Sequence, residues 1–325
     1  MKKNRFFPLI AGIFLFLVIW MIPLLFASFG THYQKETPTP SKVPPVAAQP
    51  QTEITLLHNN TPIKLPLEEY LYGVVAGEMP ASFESEALKA QAVAARTYTV
   101  NRSKSPNKDH PNADVCSDSS HCKAYLSPDE LSQKFSESPE QLEKIKQAVD
   151  STQNQILVYN GEPISAVFHS TSSGITENAE DVWGNPVPYL VSVTSEGEED
   201  SPRYQETKTF TFSEFQEKIN AGSKTVSFTE DQKNWFSHWE KNESGSVKSV
   251  SICGTSFSGT ELRSLLGLRS ANFTVEITDG ITVSTKGYGH GVGMSQYGAN
   301  HLAKRGYTYE QILKKYYTGV EIDSL

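Results

Sequence analysis

Cysteine, basic charge and long apolar runs are all scarce in this chain, and each scarcity excludes something. Cysteine occurs three times in 325 residues, at Cys116, Cys122 and Cys253. Three is too few for a disulfide-stapled scaffold, and an odd number rules out complete intramolecular pairing. Of the 29 Lys+Arg, Lys2, Lys3 and Arg5 precede residue 30, which leaves 26 against 37 Asp+Glu in the remainder. That acidic balance argues against nucleic acid as a partner, because phosphate binding needs a basic footprint. A neutral polysaccharide stays open. There is no internal repeat. Charged residues at 20% and aromatics at 10% exclude a disordered chain.

The one long apolar run is Phe6–Phe29, interrupted only by Ser28, Pro8, Gly12 and Pro23. It matches the roughly 20 residues that a bilayer core requires. Its cationic flank would stay in the cytoplasm and leave everything after Gly30 outside. A cleaved signal peptide ending near Ala27-Ser28 competes with this, but such h-regions run to only about 7–15 residues. The expected organisation is a flank and transmembrane anchor over 1–30, a Pro-rich solvated linker over 31–51, and an extracytoplasmic domain over 52–325.

The domain reads as α+β, a helical lobe packed on a mixed β-sheet region. Ile54–Leu57 and Ile63–Leu65 read as strands around a turn at Asn59-Asn60. Leu67, Tyr70, Leu71, Val74 and Val75 form a helical stripe, which Gly77 would end in a left-handed cap before Pro80. An alanine-crowded helix runs from about Glu84 to Asn101, with Arg96 on an apolar stripe. This corner carries one acid, Glu78, and its bland reading is a solvated carboxylate beside a snorkelling arginine. Further on, Ser138-Pro139 starts a helix and Asn160-Gly161 joins a hairpin between Gln155–Tyr159 and Pro163–Phe168. Thr308-x-x-Gln311 is a capping box for a last helix.

Three constellations could carry chemistry. His110, Cys116, His121 and Cys122 offer two imidazoles and two thiols, the donor set of tetrahedral Zn²⁺. A closed four-ligand shell of that kind would be structural, and a Cys116–Cys122 disulfide is the competing reading. His169-Ser170-Thr171-Ser172-Ser173-Gly174, at a strand end, is either a set of hydroxyls for a sugar or a turn satisfying its own backbone. The loop Gly287–Gly293, before a helix, lets backbone approach a ligand closely but lacks the Lys of a P-loop. Its His290 is catalytic or an orienter within the loop. Cys253, in an apolar run, reads as a buried core thiol.

Taken together, Tyr70-Leu71-x-Gly73-Val74-Val75-x-Gly77-Glu78-Met79-Pro80, Leu88–Tyr98 and Gly289–Ala299 resemble the stage II sporulation protein D family. The resemblance covers nearly the whole extracytoplasmic chain. It implies a lytic transglycosylase that cleaves the MurNAc–GlcNAc bonds of peptidoglycan glycan strands, leaving 1,6-anhydro-MurNAc ends, during engulfment in sporulation. Glu78 would be the catalytic acid and Arg96 would lie in the same cleft. Ser170, Thr171, Ser172 and His290 are weaker transfers to substrate binding. The His/Cys pattern resembles the zinc site of clostridial members. The implied partners are stage II sporulation proteins P, an amidase and endopeptidase, and M, at the engulfing membrane.

One carboxylate suffices for such a reaction. Glu78 would protonate the leaving oxygen and then deprotonate the 6-hydroxyl that attacks its own anomeric carbon. Arg96 is expected to contact substrate, or a group behind the site, rather than pair with Glu78, since pairing would hold the acid ionised. A non-enzymatic module that stimulates an amidase, and a two-carboxylate hydrolase using Glu84, Glu86 or Asp181, are the alternatives.

Overall fold

The structure, a computed structural model, describes residues 52–105 and 108–325. The expected anchor at 1–30 and linker at 31–51 lie outside the described residues. Among those described, no helix is long and apolar enough to cross a membrane.

Strands β1 (Glu53–His58) and β2 (Thr61–Pro66) pair antiparallel across Asn59-Asn60. Both asparagines take left-handed backbone, φ 49° and 62°, the conformation a tight hairpin turn demands. Helix α1 (Leu67–Glu78) follows and buries Leu67, Tyr70, Leu71, Val74 and Val75. Gly77 is not its left-handed cap but lies inside it. A Cβ there would stand 3.3 Å from Ala124, so the missing side chain brings the 124–126 segment close. The helix stops because Met79, preceding Pro80, is held extended (φ −125°, ψ 138°).

Helix α2 (Ser85–Ser103) is the axis of the main core. Ala90 to Thr99 are all buried, and the small alanines let α1, other helices and a strand pack around it. A two-residue strand β3 (Val115–Cys116) lies parallel on β1. Helix α3 (Pro128–Lys134), capped by the Ser127/Glu130 box, was not anticipated; α4 (Pro139–Asp150) was. Strand β4 (Gln155–Tyr159) turns at Asn160-Gly161, but its partner is only Glu162–Pro163. Pro163 has no N–H with which to continue the ladder. The chain leaves, and Phe168–His169 pairs in parallel with Met294–Ser295. The other edge of β4 is taken by the C-terminal strand Glu321–Ser324.

The α+β class therefore holds, but the strands among the described residues form five small sheets in place of one mixed sheet. A second core occupies the stretch between residues 205 and 286. Trp235 is fully buried there, against Phe215 and Phe228, between the sheet of Gln205–Phe210, Phe273–Ile277 and Ile281–Lys286 and that of Phe236–Lys241, Val247–Ile252 and Thr255–Ser258. Cys253 sits half-exposed in the hairpin turn of the second sheet, with φ 47°, and is not a core strand residue.

Candidate active site and metal-ligand cluster

Glu78 is the last residue of α1, where the helix macrodipole disfavours an anion. Burial also raises its pKa, while the Lys123 ammonium and the Ala124 N–H, which donates to Oε1 at 2.8 Å, pull it down; burial prevails. Lys123 is itself buried, its Nζ 3.6 Å from the centroid of the Phe168 ring and 4.4 Å from that of Tyr98. Desolvation lowers its pKa to about 8 against the opposing pull of Glu78. The site thus holds an acid inclined to stay protonated beside a cation able to stabilise its anion.

His290 belongs to the same neighbourhood, since the Lys123 charge acts on it too. Burial, then the charges of His169, Lys123 and Arg263, keep it neutral well below its ordinary pKa. Its Nδ1 accepts from the Val292 N–H at 3.1 Å, so it orients its own loop. Trp183, 45% exposed, has its ring 5.4 Å from that of His290.

The four donors of the His/Cys cluster lie within 4.8 Å of one another. His110 Nε2 is 3.3 Å from Cys122 Sγ, and His121 Nδ1 is 3.3 Å and 3.4 Å from the sulfurs of Cys116 and Cys122. Zn–N and Zn–S bonds of about 2.0 and 2.3 Å at a tetrahedral angle put N and S about 3.5 Å apart, so the donors fit a metal. The thiols are free and not joined. His110 Nδ1 donates to Ala113 O at 2.8 Å and His121 Nε2 meets Asp109 at 3.1 Å, which sets the ring nitrogens that face the sulfurs. The cluster ends at Cys122, and the next two residues are the Lys123 and Ala124 that act on Glu78.

Thr171 and Ser172 are drawn inward. Ser172 Oγ and N–H donate to Glu198 at 2.9 Å and 3.0 Å, and Thr171 Oγ1 donates to Ser201 at 2.9 Å. Glu198 is fully buried and also accepts from Ser195 and Ser295. It gathers the hydroxyl segment and the start of the helix after the glycine loop onto one carboxylate. Thr171 and Ser172 are therefore scaffold and not free sugar ligands; Ser170 is half-exposed, its hydroxyl 3.2 Å from that of Thr171. Glu198→Ala leaves these donors without their acceptor and is expected to cost about 1–3 kcal/mol of unfolding free energy, readable by urea titration.

Arg96 stands apart from Glu78. It is fully buried and binds Glu68 through two contacts, Nε–Oε1 at 2.9 Å and Nη2–Oε2 at 2.6 Å. Its remaining donors reach the carbonyls of Gln155 and Val149, both at 3.2 Å. The expected substrate contact is corrected: the arginine ties α1, α2, α4 and β4 together. Sequence reasoning missed Lys123 and Glu198. Lys123 had a signal, its place immediately after a candidate ligand, whereas Glu198 sits in an acidic run that reads as a solvated turn.

Comparison with known proteins agrees with the residue pattern. A family model described as Stage II sporulation protein matches residues 59–159. Stage II sporulation protein D of Bacillus subtilis (strain 168) is 45% identical over 270 residues, 81% of this chain and 76% of that one. Its counterpart in Bacillus amyloliquefaciens is 43% identical over the same shares. An Amidase enhancer of Bacillus subtilis (strain 168) is 31% identical over 303 residues, 78% of this chain and 40% of that protein. At this identity and coverage, the chain belongs to the stage II sporulation protein D family.

Proposed function

We propose that this protein is a lytic transglycosylase of peptidoglycan glycan strands, with Glu78 as acid and then base. The observation that carries this reading is the balance at Glu78. Burial and the helix end favour the protonated form, while Lys123 and the Ala124 N–H support the anion. A group that must give a proton and take one back needs both states within reach. Protonated Glu78 donates to the oxygen leaving the MurNAc–GlcNAc bond. Its carboxylate then removes the proton from the 6-hydroxyl of MurNAc, whose oxygen closes on its own anomeric carbon. Trp183 offers an exposed aromatic face for a sugar ring beside this site. Mass spectrometry of digested glycan tests the reaction: 1,6-anhydro ends are expected, and reducing MurNAc ends would point to hydrolysis instead.

In the same reading Zn²⁺ is held by His110, Cys116, His121 and Cys122. With four protein donors it supplies a structural clamp. It fixes Lys123 and Ala124, and through them the setting of Glu78. Metal analysis is expected to find about one zinc per chain. Stripping it with a chelator is expected to lower both thermal stability and glycan cleavage, and restoring zinc to recover both.

The reading also has the domain outside the cell membrane, anchored by residues 1–30 at the engulfing septum. Stage II sporulation proteins P and M would be its partners there. The Amidase enhancer relative favours a second role, stimulation of a partner amidase. Amidase stimulation that survives Glu78→Gln would separate that role from glycan cleavage.

A further inference from the structure

The His/Cys cluster carries a second chemistry beside metal binding, because its two sulfurs lie close enough to react with each other. His121 Nδ1 stands 3.3 Å from Cys116 Sγ and 3.4 Å from Cys122 Sγ, and all four donor atoms fall within 4.8 Å of one another. Around a tetrahedral metal the sulfurs would be about 3.8 Å apart. A disulfide needs about 2.05 Å, so a closure of roughly 2 Å from the metal-bound spacing joins them. Only five residues, 117–121, separate the two cysteines. Cys253 packs on the other core.

The pair is also reachable. Cys116 and His121 line an open pocket together with Leu57, Asn59, Asn60 and Asp118, and the His121 side chain is 30% exposed. Cys122 is not part of that lining, so Cys116 meets a small oxidant first. The two sulfurs are anchored unequally. Cys116 lies in β3, in register with Leu57 of β1, and the next N–H, that of Ser117, donates to Leu57 O at 3.1 Å. Cys122 lies outside any strand or helix, in a bend where its N–H donates to Asp118 O at 2.8 Å. Closing the gap therefore moves Cys122 and not Cys116, and the residues that follow it go with it. Those are Lys123, whose ammonium acts on Glu78, and Ala124, whose N–H donates to Glu78 Oε1 at 2.8 Å.

We propose that Cys116 and Cys122 form a reversible oxidation site: a peroxide joins them in a disulfide, the metal is released, and Lys123 and Ala124 are drawn off Glu78. The thiolate of Cys116 takes one peroxide oxygen and the O–O bond breaks, the other oxygen leaving as water with a proton from solvent. Cys122 Sγ then forms the S–S bond and displaces the sulfur-bound oxygen, which a second solvent proton completes as water. Two thiolates are oxidised by two electrons in all and one peroxide is reduced. A disulfide no longer ligates as the thiolates do, so two of the four metal ligands are lost. The inference takes its reduced state from the metal reading above and its effect from the Glu78 reading, whereas the disulfide itself depends on neither.

Titration of the zinc-loaded full-length protein with hydrogen peroxide tests this, with released zinc followed by a chromogenic chelator and thiols counted after denaturation. About one zinc is expected to leave per chain, as two of the three thiols disappear. Peptide mapping is expected to join Cys116 to Cys122 and leave Cys253 free, with the intact mass lower by two hydrogens. Hydrogen exchange at the Ala124 amide is expected to quicken, a readout independent of glycan cleavage. Formation of 1,6-anhydro ends is expected to fall at least about tenfold, the scale of one lost hydrogen bond to a charged group. Dithiothreitol with zinc is expected to restore every reading, and Cys253→Ser to respond as the parent does. Mass gained as sulfinate or sulfonate, a bridge through Cys253, or thiols that survive a large excess of peroxide overturns the oxidation site. A disulfide-bonded chain with unchanged Ala124 exchange and an unchanged cleavage rate overturns its link to Glu78. The reduced protein, assayed in parallel, keeps the questions apart. If it binds no zinc or forms no anhydro ends, the metal or the transglycosylase reading fails, while the mass and the Ala124 exchange of the oxidised chain still decide the proposal.

Discussion

Glu78→Gln is expected to lower formation of 1,6-anhydro ends by about 10²–10⁴-fold while leaving the fold intact. The amide keeps the shape of the side chain, and it can still accept from the Ala124 N–H, but it can neither give nor recover a proton. The pH profile provides a second readout with a definite sign. Burial and the α1 C-terminus raise the Glu78 pKa, so the proton is retained to higher pH than on a solvated glutamate. Cleavage by an acid must decline as pH climbs through that raised pKa. The falling limb is therefore expected above the ordinary carboxylate range, and Glu78→Gln is expected to lack it. Full activity in the Gln variant would sink the reading.

Arg96→Gln is expected to act on stability instead, lowering the unfolding free energy by about 3–5 kcal/mol. The substitution leaves Glu68 without its cation and the carbonyls of Gln155 and Val149 without donors, all in or near the main core. Glu68→Gln should reproduce much of the loss, because it breaks the same pair from the other side. A double replacement, Arg96→Met with Glu68→Leu, is expected to recover part of it, since a well-packed apolar pair avoids the desolvation of two charges. Denaturant titration of the four proteins measures this. Measured at a temperature where Arg96→Gln stays folded, KM for glycan is expected to be unchanged. A raised KM in a fully folded variant would return Arg96 to the substrate.

What was legible in the sequence follows the range of the interactions involved. The stripes of α1 and α2, the Asn59-Asn60 and Asn160-Gly161 turns and the Thr308 capping box are local patterns, and the structure has each of them. The His/Cys cluster was legible too, because its four members sit within thirteen residues. Partners separated by long stretches of chain were not. Nothing local announces that Arg96 will find Glu68 and not Glu78, since both acids lie on the same helix, ten residues apart. The inward turn of Ser172 depends on Glu198 and that of Thr171 on Ser201, both more than twenty residues away and in a segment that reads as solvated. The expected strand Pro163–Phe168 failed for a similar reason. Its end pairs with Met294–Ser295, a contact no hairpin rule supplies.

The lobe between residues 205 and 286 is joined to the main body by two adjacent stretches of chain, and touches it again where the Gly289 N–H donates to Arg269 O at 3.0 Å and Ser173 Oγ donates to Ser244 O at 3.3 Å. Gln205 pairs with Lys286 in register, and the Gly287 N–H donates to Tyr204 O at 2.7 Å. The chain thus enters and leaves through one doorway two backbones wide, and the lobe carries its own core. Mechanically, a swing of the lobe on that doorway would leave both cores packed, but it would have to break the Gly289–Arg269 and Ser173–Ser244 hydrogen bonds. Topologically the doorway also makes the module separable, since Gln205 and Lys286 already face each other as the two ends of a hairpin base would.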